Sequence, residues 1–167
     1  MKPLRTALPT LLLANLSLAA PHMRRQTPSA VIFTVTNFAA FFADTTLEDA
    51  QSNLTFHVAD TRPGLEAEAD CVIPNTYFNL YAISALFDYC GARALDVSYR
   101  FTETGLTVRR GWSVNGTTYM TGSGTQDTYW TEEGPGANVT VHPNGKLYAR
   151  KEEWLFPVTR LQPGTPP

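Results

Sequence analysis

Two cysteines, Cys71 and Cys90, are the residues of this chain whose types point most directly to a chemistry. If the chain is secreted, an even number of cysteines favours a disulfide, and a bond between Cys71 and Cys90 would close a loop of about 20 residues, worth roughly 3 kcal/mol in loop-closure entropy. The alternative, a metal ligand or a catalytic thiol, lacks support, because there is no CxxC motif and no histidine close to either cysteine. We therefore predict one disulfide and no metal site.

Side chains able to do acid, base or nucleophilic chemistry are few. The chain has no GxSxG nucleophile elbow. Once residues 1–25 are set aside as a leader that is removed, as argued below, its histidines are His57 and His142. A glycosidase needs two carboxylates on opposite sides of a sugar, about 5 to 9.5 Å apart. Carboxylates lie close together at three places, which a solvated loop or strand face explains better: Glu132-Glu133, Glu152-Glu153, and the alternating Glu66, Glu68 and Asp70. We predict a protein without a catalytic centre or cofactor, with a small secreted hydrolase as one alternative.

Three aromatic residues are candidate ligand contacts. Tyr77 and Tyr81 lie between the cysteines in a segment rich in Tyr and Phe, and Trp130 directly follows Tyr129. Exposed rings stack on sugars and other planar ligands, whereas buried rings form the core, and core packing explains most such residues. If Tyr77, Tyr81 and Trp130 are exposed, a carbohydrate-binding module becomes a second alternative function.

Three Asn-x-Thr sequons begin at Asn53, Asn115 and Asn138. Such sequons are N-glycosylation acceptors in secreted proteins, and their use places the asparagine on the surface. Because two of the three lie beside predicted turns, we expect at least one to be glycosylated.

The first 25 residues have the pattern of a secretory leader. A positively charged start is followed by an apolar stretch from Leu8 to Leu18 and by small residues before Ala20. We predict a signal peptide over residues 1–19 and a short pro-segment over residues 20–25, which ends at the dibasic Arg24-Arg25. The protein is then secreted and extracellular.

Charge argues against two classes of partner. Removal of residues 1–25 leaves nine basic residues against 15 acidic ones, a net charge of −6. An acidic chain without a basic cluster is unsuited to bind nucleic acid or an anionic membrane. Arg109-Arg110 is the basic pair of note beyond residue 25, and we predict that it occupies alternating positions of a strand.

Hydrophobic and polar residues alternate along much of the chain, as in VIFTV (31–35) and LTFHV (54–58). This period of two predicts half-buried β-strands. With turn signals about every 8 to 12 residues, the pattern predicts an all-β fold, a single-domain antiparallel β-barrel or sandwich with at most one short helix. We expect this domain to cover residues 26–160 and a flexible tail to follow over 161–167.

Turn signals also predict three hairpins, at Thr102–Gly105, at Asn115-Gly116 and at His142–Gly145. The Asn-Gly pair predicts a two-residue turn in which both residues have positive φ. Two segments lack clean alternation. Residues 39–51 could form one helical turn or a loop, and residues 75–89 could form a short helix or a bulged strand.

Four sequence runs carry a family resemblance: VTNFAAFF, SNLTFHVADTRPGLEAEADC, YCGARALDVSYRF and GLTVRRGWSVNG. Together they resemble the fungal major-allergen family typified by the Alternaria allergen, over about Val31 to Gly124. The resemblance implies a compact secreted β-barrel with allergen or plant-defence-elicitor roles and no established catalysis. It also implies that Cys71 and Cys90 form the first intrachain bridge of that family.

The chain departs from the family pattern at two points. The family has a second bridge nearer the C-terminus, but no cysteine follows Cys90, and Ser113 stands about where one partner is expected. The N-terminal cysteine that links some members into a dimer is also missing, so we expect no covalent dimer. On this basis we expect a secreted, non-catalytic binding protein at the host or environmental interface, whose partner is a plant extracellular protein or a small phenolic ligand.

Overall fold

The structure, a computed structural model, describes residues 31–167, so the signal peptide and pro-segment predicted above lie outside the described residues. The chain forms these strands: β1 Ile32–Ala43, β2 Ser52–Asp60, β3 Ala67–Thr76, β4 Asp88–Tyr89, β5 Val97–Thr102, β6 Gly105–Ser113, β7 Tyr119–Asp127, β8 Val139–His142, β9 Gly145–Arg150, β10 Trp154–Pro157 and β11 Arg160–Pro163. Between them lie a short helix, α1 (Leu80–Ile83), and a 3-10 turn (Arg93–Leu95).

The strands form two antiparallel sheets. The first sheet has the order β3-β2-β1-β9-β8, and β10 pairs with β1 beside β9. The second sheet has the order β11-β7-β6-β5-β4. The prediction of an all-β fold is confirmed. Of the two architectures proposed, the sandwich is correct, because the strands form two separate sheets and do not close into one barrel.

The hydrophobic core lies between the two sheets and is rich in aromatic rings. The Phe38 ring lies at its centre, within 6 Å of the rings of Phe56, Phe101, Trp130 and Trp154. Inward-facing residues of both sheets complete the core, among them Phe33, Val35, Leu54, Val58, Val97, Tyr99, Leu106, Val108 and Phe156. Burial of this apolar surface is the main force that holds the sheets together.

A β-bulge divides strand β1. Its pairing with β2 shifts register between Thr36 and Ala39, and Asn37 has a φ of 54°. Asparagine tolerates this left-handed conformation better than most residues. The bulge moves the buried positions from Phe33 and Val35 to Phe38 and Ala40, so the strand stays on the core. The expectation of a helical turn or loop over residues 39–51 is therefore wrong for residues 39–43, which continue β1.

Segment 75–89 contains α1 and the two-residue strand β4, so the short-helix alternative is correct. At the C-terminus, β11 pairs with β7 over Arg160–Pro163. The last strand of the second sheet thus includes residues 161–163, which the sequence assigned to a flexible tail. The backbone of β11 pairs with the edge of β7, a distant segment, so the local sequence pattern does not predict this strand.

The three predicted hairpins form, but the Asn115-Gly116 turn differs from the prediction. Strands β6 and β7 pair from Gly105↔Asp127 to Ser113↔Tyr119, and the connecting loop has five residues. Gly116 has a φ of 76°, whereas Asn115 does not have positive φ. Instead, the Asn115 side-chain oxygen accepts hydrogen bonds from the amides of Thr117 and Thr118, which closes a longer loop.

A buried ion pair joins the two sheets at one end. Asp60, at the end of β2, accepts hydrogen bonds from Arg62 Nε at 2.9 Å and Arg62 Nη2 at 2.6 Å. Arg110 of β6 reaches across the sandwich and bonds the same carboxylate and the Leu65 carbonyl. The Arg62 guanidinium lies 4.0 Å from the Trp112 ring. The buried Arg110, the half-buried Arg62 and the buried Asp60 carboxylate thus balance each other's charge.

Candidate functional site

The predicted disulfide is present and encloses a surface loop. Cys71 of β3 bonds Cys90, next to β4, with their Cα atoms 4.4 Å apart. These two strands are edge strands of different sheets, so the bond fastens the sheets together. We refer to residues 72–89 as the disulfide loop.

Helix α1 anchors the disulfide loop on the core. The Asn79 side chain caps the helix by accepting hydrogen bonds from the amides of Tyr81 (2.9 Å) and Ala82 (3.3 Å). Leu80 is fully buried. The buried Ser84 hydroxyl contacts the carbonyl oxygens of Leu80 at 2.5 Å and Phe101 at 2.8 Å. The loop is therefore fixed to β5 by hydrogen bonds as well as by the disulfide.

Large apolar side chains nevertheless project from this anchored loop. Tyr77, Phe78 and Leu86 are 65%, 69% and 82% exposed, and we call these three residues the apolar tip. The Tyr77 hydroxyl lies 3.5 Å from Asp49 Oδ1 in the loop after β1. Exposed apolar residues concentrated on one fixed loop mark interaction surfaces more often than scattered ones do.

The structure separates the three aromatic residues proposed as ligand contacts. Tyr77 belongs to the apolar tip. Tyr81 is half-buried, with its ring 4.8 Å from Phe42 and 4.9 Å from Phe101. Burial, followed by the nearby Tyr148 and Glu103, raises the pKa of the Tyr81 hydroxyl.

Trp130 is also half-buried and packs into the same aromatic cluster. Its ring lies 5.8 Å from Phe38 and 5.1 Å from Tyr148. Tyr81 and Trp130 therefore stand in packing positions at the margin of the core, and of the three residues only Tyr77 offers most of its ring to a partner.

The sequons differ in how their side chains are engaged. Asn115 is exposed in the β6–β7 loop, where its Oδ1 organises the turn. Asn53 is half-buried and donates from Nδ2 to Asn75 at 3.0 Å. Asn138 donates from Nδ2 to the Tyr129 carbonyl at 3.1 Å and accepts from the Thr131 amide at 2.8 Å. A glycan at Asn115 would therefore disturb the fewest contacts.

The carboxylate groups considered for catalysis lie at separate places. His57 Nδ1 is 2.8 Å from Asp70 Oδ1 on the outer face of the first sheet. Glu132 bonds Lys146 at 2.8 Å. Glu152 and Glu153 are exposed and line an open cleft of about 450 Å³ next to Asn138. Within residues 31–167, no three His, Cys, Asp or Glu side chains form a group that could hold a metal ion.

Comparison of the chain with protein-family models, with curated proteins and with solved structures found no match in any of the three. Within the described part of the chain, no helix combines the length and apolar character needed to cross a membrane.

The role of Arg110 was not predicted from the sequence. Arg109 and Arg110 do occupy alternating positions of a strand, as predicted, but Arg110 follows Leu106 and Val108 on the face that points inward. An arginine at an inward position requires a buried carboxylate, because an unpaired charge in the core is very costly. The inward position of Arg110 can be read from the alternation in the sequence, although the identity of the carboxylate, Asp60, depends on tertiary structure.

Proposed function

We propose that this protein is an extracellular, non-catalytic binding protein of the allergen or elicitor type, and that its apolar tip docks on a protein partner. The single observation that carries the proposal is the exposure of Tyr77, Phe78 and Leu86 on a loop that is otherwise firmly anchored. The disulfide supports an oxidising location outside the cell.

Anchoring matters for affinity because ordering a flexible loop on binding opposes association. Here the helix cap of Asn79, the buried Leu80 and the disulfide already restrict the backbone. The tip can then bury its apolar area on a partner with little further loss of conformational entropy. Tyrosine is among the residues enriched at the energetic centre of interfaces.

The shape of the tip favours a protein over a small phenolic ligand as the partner. Small molecules bind in concave, mostly apolar pockets that cover most of their surface. The tip side chains instead project outward, and the open cleft near Asn138 is lined by charged residues such as Arg150, Glu152 and Glu153. A plant extracellular protein with an apolar depression fits such a projection.

The test is capture of a partner from plant apoplastic fluid by purified protein. We expect the triple variant Tyr77→Ser, Phe78→Ser, Leu86→Ser to lose about 30-fold or more in affinity for the captured protein, as expected for loss of a hot spot. The matched control replaces three similarly exposed apolar residues elsewhere, with Val114→Ser, Val141→Ser and Leu161→Ser. Both variants should keep the melting temperature of the native protein.

Equal binding by the tip variant and the control variant would contradict the docking proposal. Recovery of a phenolic compound in place of a protein would contradict the choice of partner. The proposal that the protein is non-catalytic fails if purified protein turns over a polysaccharide, ester or peptide, and if one carboxylate or serine substitution abolishes this turnover without changing the melting temperature.

A further inference from the structure

A groove of about 300 Å³ crosses the outer face of the second sheet. Arg100, Arg109 and Arg160 line it, together with Phe87 and a set of hydroxyl side chains that includes Ser123 and Thr125. Neither Asp nor Glu is among its lining residues. We call this feature the arginine groove.

Strand register explains why the arginines meet. Arg109 of β6 pairs with Ser123 of β7, and Ser123 pairs in turn with Arg160 of β11. Residues that pair directly across antiparallel strands point to the same face. Since neighbouring strands lie about 4.8 Å apart, the backbones of Arg109 and Arg160 are separated by roughly 10 Å. Arg100 of β5 joins the same face through its pairing with Thr107.

Two contacts hold the Arg109 side chain in place. Its Nε donates a hydrogen bond to the Ser98 hydroxyl at 3.0 Å, and its guanidinium carbon lies 4.3 Å from the Phe87 ring. The Arg100 guanidinium lies 5.6 Å from the same ring. These contacts leave the terminal nitrogens of Arg109 able to donate to a ligand, and they reduce the entropy lost on binding.

The arginines of the arginine groove form no salt bridge with any carboxylate that the structure describes. Within residues 31–167, none of the three arginines has a carboxylate oxygen within 4.0 Å. By contrast, Arg62 and Arg110 both bind the Asp60 carboxylate, and Lys146 forms an ion pair with Glu132. Residues 26–167 carry a net charge of −6. Three unpaired arginines on one face of so acidic a chain create a local positive potential that attracts anions.

The lining residues indicate the chemistry of the anion. Guanidinium groups bind carboxylates through two parallel hydrogen bonds. The side chains of Ser123, Thr125 and Gln162 can donate and accept, which suits the hydroxyl groups of a sugar. The spacing of Arg109 and Arg160 suits a ligand with charges distributed along its length. Long polyanions such as duplex nucleic acid are disfavoured by the acidity of the rest of the chain.

We propose that the arginine groove binds acidic oligosaccharides, in which successive sugar units carry carboxylates. Titration calorimetry with an oligogalacturonate hexamer tests this. Fully methyl-esterified hexamer serves as the neutral probe, and potassium sulfate as the simple anion. We expect binding of the acidic hexamer alone, weakened as salt is raised.

Single-charge variants locate the site. Arg160→Gln and Arg109→Gln should each weaken hexamer binding about ten-fold or more, as expected for loss of a charged hydrogen bond. Lys151→Gln, which removes one exposed positive charge beside the other cleft, should leave it within about two-fold. Arg160 is exposed on an edge strand, so its variant keeps the test valid even if Arg109→Gln fails to fold.

Three results would overturn the proposal: equal loss in Arg160→Gln and Lys151→Gln, binding of the esterified hexamer as tight as that of the acid, or sulfate binding as tight as that of the hexamer. The test is independent of the protein-docking proposal, because the apolar-tip variant should bind the hexamer like the native protein.

Discussion

Asp60 is a buried carboxylate that connects the two sheets. Its side chain is 1% exposed and accepts hydrogen bonds from two arginines, one on its own loop and one on the opposite sheet. Removal of a buried charge's partner is far more costly than the net gain from forming the pair, because the remaining charge stays buried. The carboxylate is thus required by Arg110, which is itself almost fully buried.

We expect Asp60→Asn to lower the free energy of unfolding by about 3 to 5 kcal/mol, because the similar-sized amide cannot balance Arg62 and Arg110. Urea unfolding followed by tryptophan fluorescence measures this. Asp70→Asn is the control, since Asp70 is exposed and bonds the half-exposed His57, and we expect it to change stability by less than about 1 kcal/mol. Equal losses in the two variants would show that the buried cluster has no special role.

The same carboxylate predicts how stability depends on pH. Burial alone raises the pKa of Asp60, but hydrogen bonds from Arg62 and the charge of Arg110 outweigh burial, so the pKa falls below its ordinary 3.8. A carboxyl whose pKa is lower in the folded state stabilises the fold above the unfolded pKa, and this contribution is lost as pH falls through the folded value. Melting temperature measured between pH 7 and pH 2 should therefore fall more steeply in the native protein than in Asp60→Asn below about pH 4.

At the scale of elements, local pattern identified the strands whose inward and outward residues alternate or whose turn residues are typical of a hairpin. Strand β2 buries alternate residues throughout, and β5 and β6 form the hairpin that their turn residues predict. The second half of β1 was not predicted as a strand, because the bulge at Asn37 breaks the period of two. Strand β11 was not predicted either, because its partner, β7, lies far from it in sequence.

The candidate sites divide in the same way. The aromatic density of its segment marked Tyr77 as a candidate contact but left its exposure open, whereas the disulfide could be predicted, because the number of cysteines is a property of the sequence alone. Whether Tyr81 and Trp130 are exposed could not, since their burial depends on Phe42 and Tyr148 from distant strands. The arginine groove could not be predicted either, because it combines residues from four strands whose mutual register no local pattern contains.

The β6–β7 loop yields a prediction that separates backbone strain from packing. Gly116 has positive φ, and open space surrounds the position of an added Cβ. Gly116→Val should therefore destabilise the protein by more than about 1 kcal/mol through strain alone, whereas Gly116→Asn should have a smaller effect because asparagine adopts this conformation more readily. Thermal melts of both variants test this. Equal effects of Val and Asn would mean that φ at this position is unimportant.

At the scale of the whole molecule, the two sheets are joined covalently at one edge by Cys71–Cys90 and by ionic contacts through Asp60 and Arg110. The two proposed binding surfaces also adjoin. Leu86 belongs to the apolar tip, and Phe87, the next residue, lines the arginine groove. A large partner on the tip would therefore contact the margin of the groove.

Loss of the disulfide should affect both stability and binding. We expect the double variant Cys71→Ala, Cys90→Ala to lose roughly 3 kcal/mol of unfolding free energy, because the unfolded chain is no longer constrained by a closed loop of about 20 residues. It should also bind its protein partner more weakly, because the tip is less restricted. Urea unfolding with and without reductant measures the first effect: reductant should destabilise the native protein and leave the variant unchanged. A destabilisation of both by reductant would contradict this explanation.

The position of β1 has a consequence for how the chain reaches this fold. The strand lies near the start of the described chain, yet one of its edges pairs with β9 and β10, near the end. The first sheet cannot be completed until residues 145–157 have been synthesised, so β2–β3 and β5–β6–β7 are free to form first. Contacts so distant in sequence slow folding. Until they form, one edge of β1 remains open to strands of other chains. Assembly of this sheet is therefore the step at which newly made protein most needs protection from aggregation.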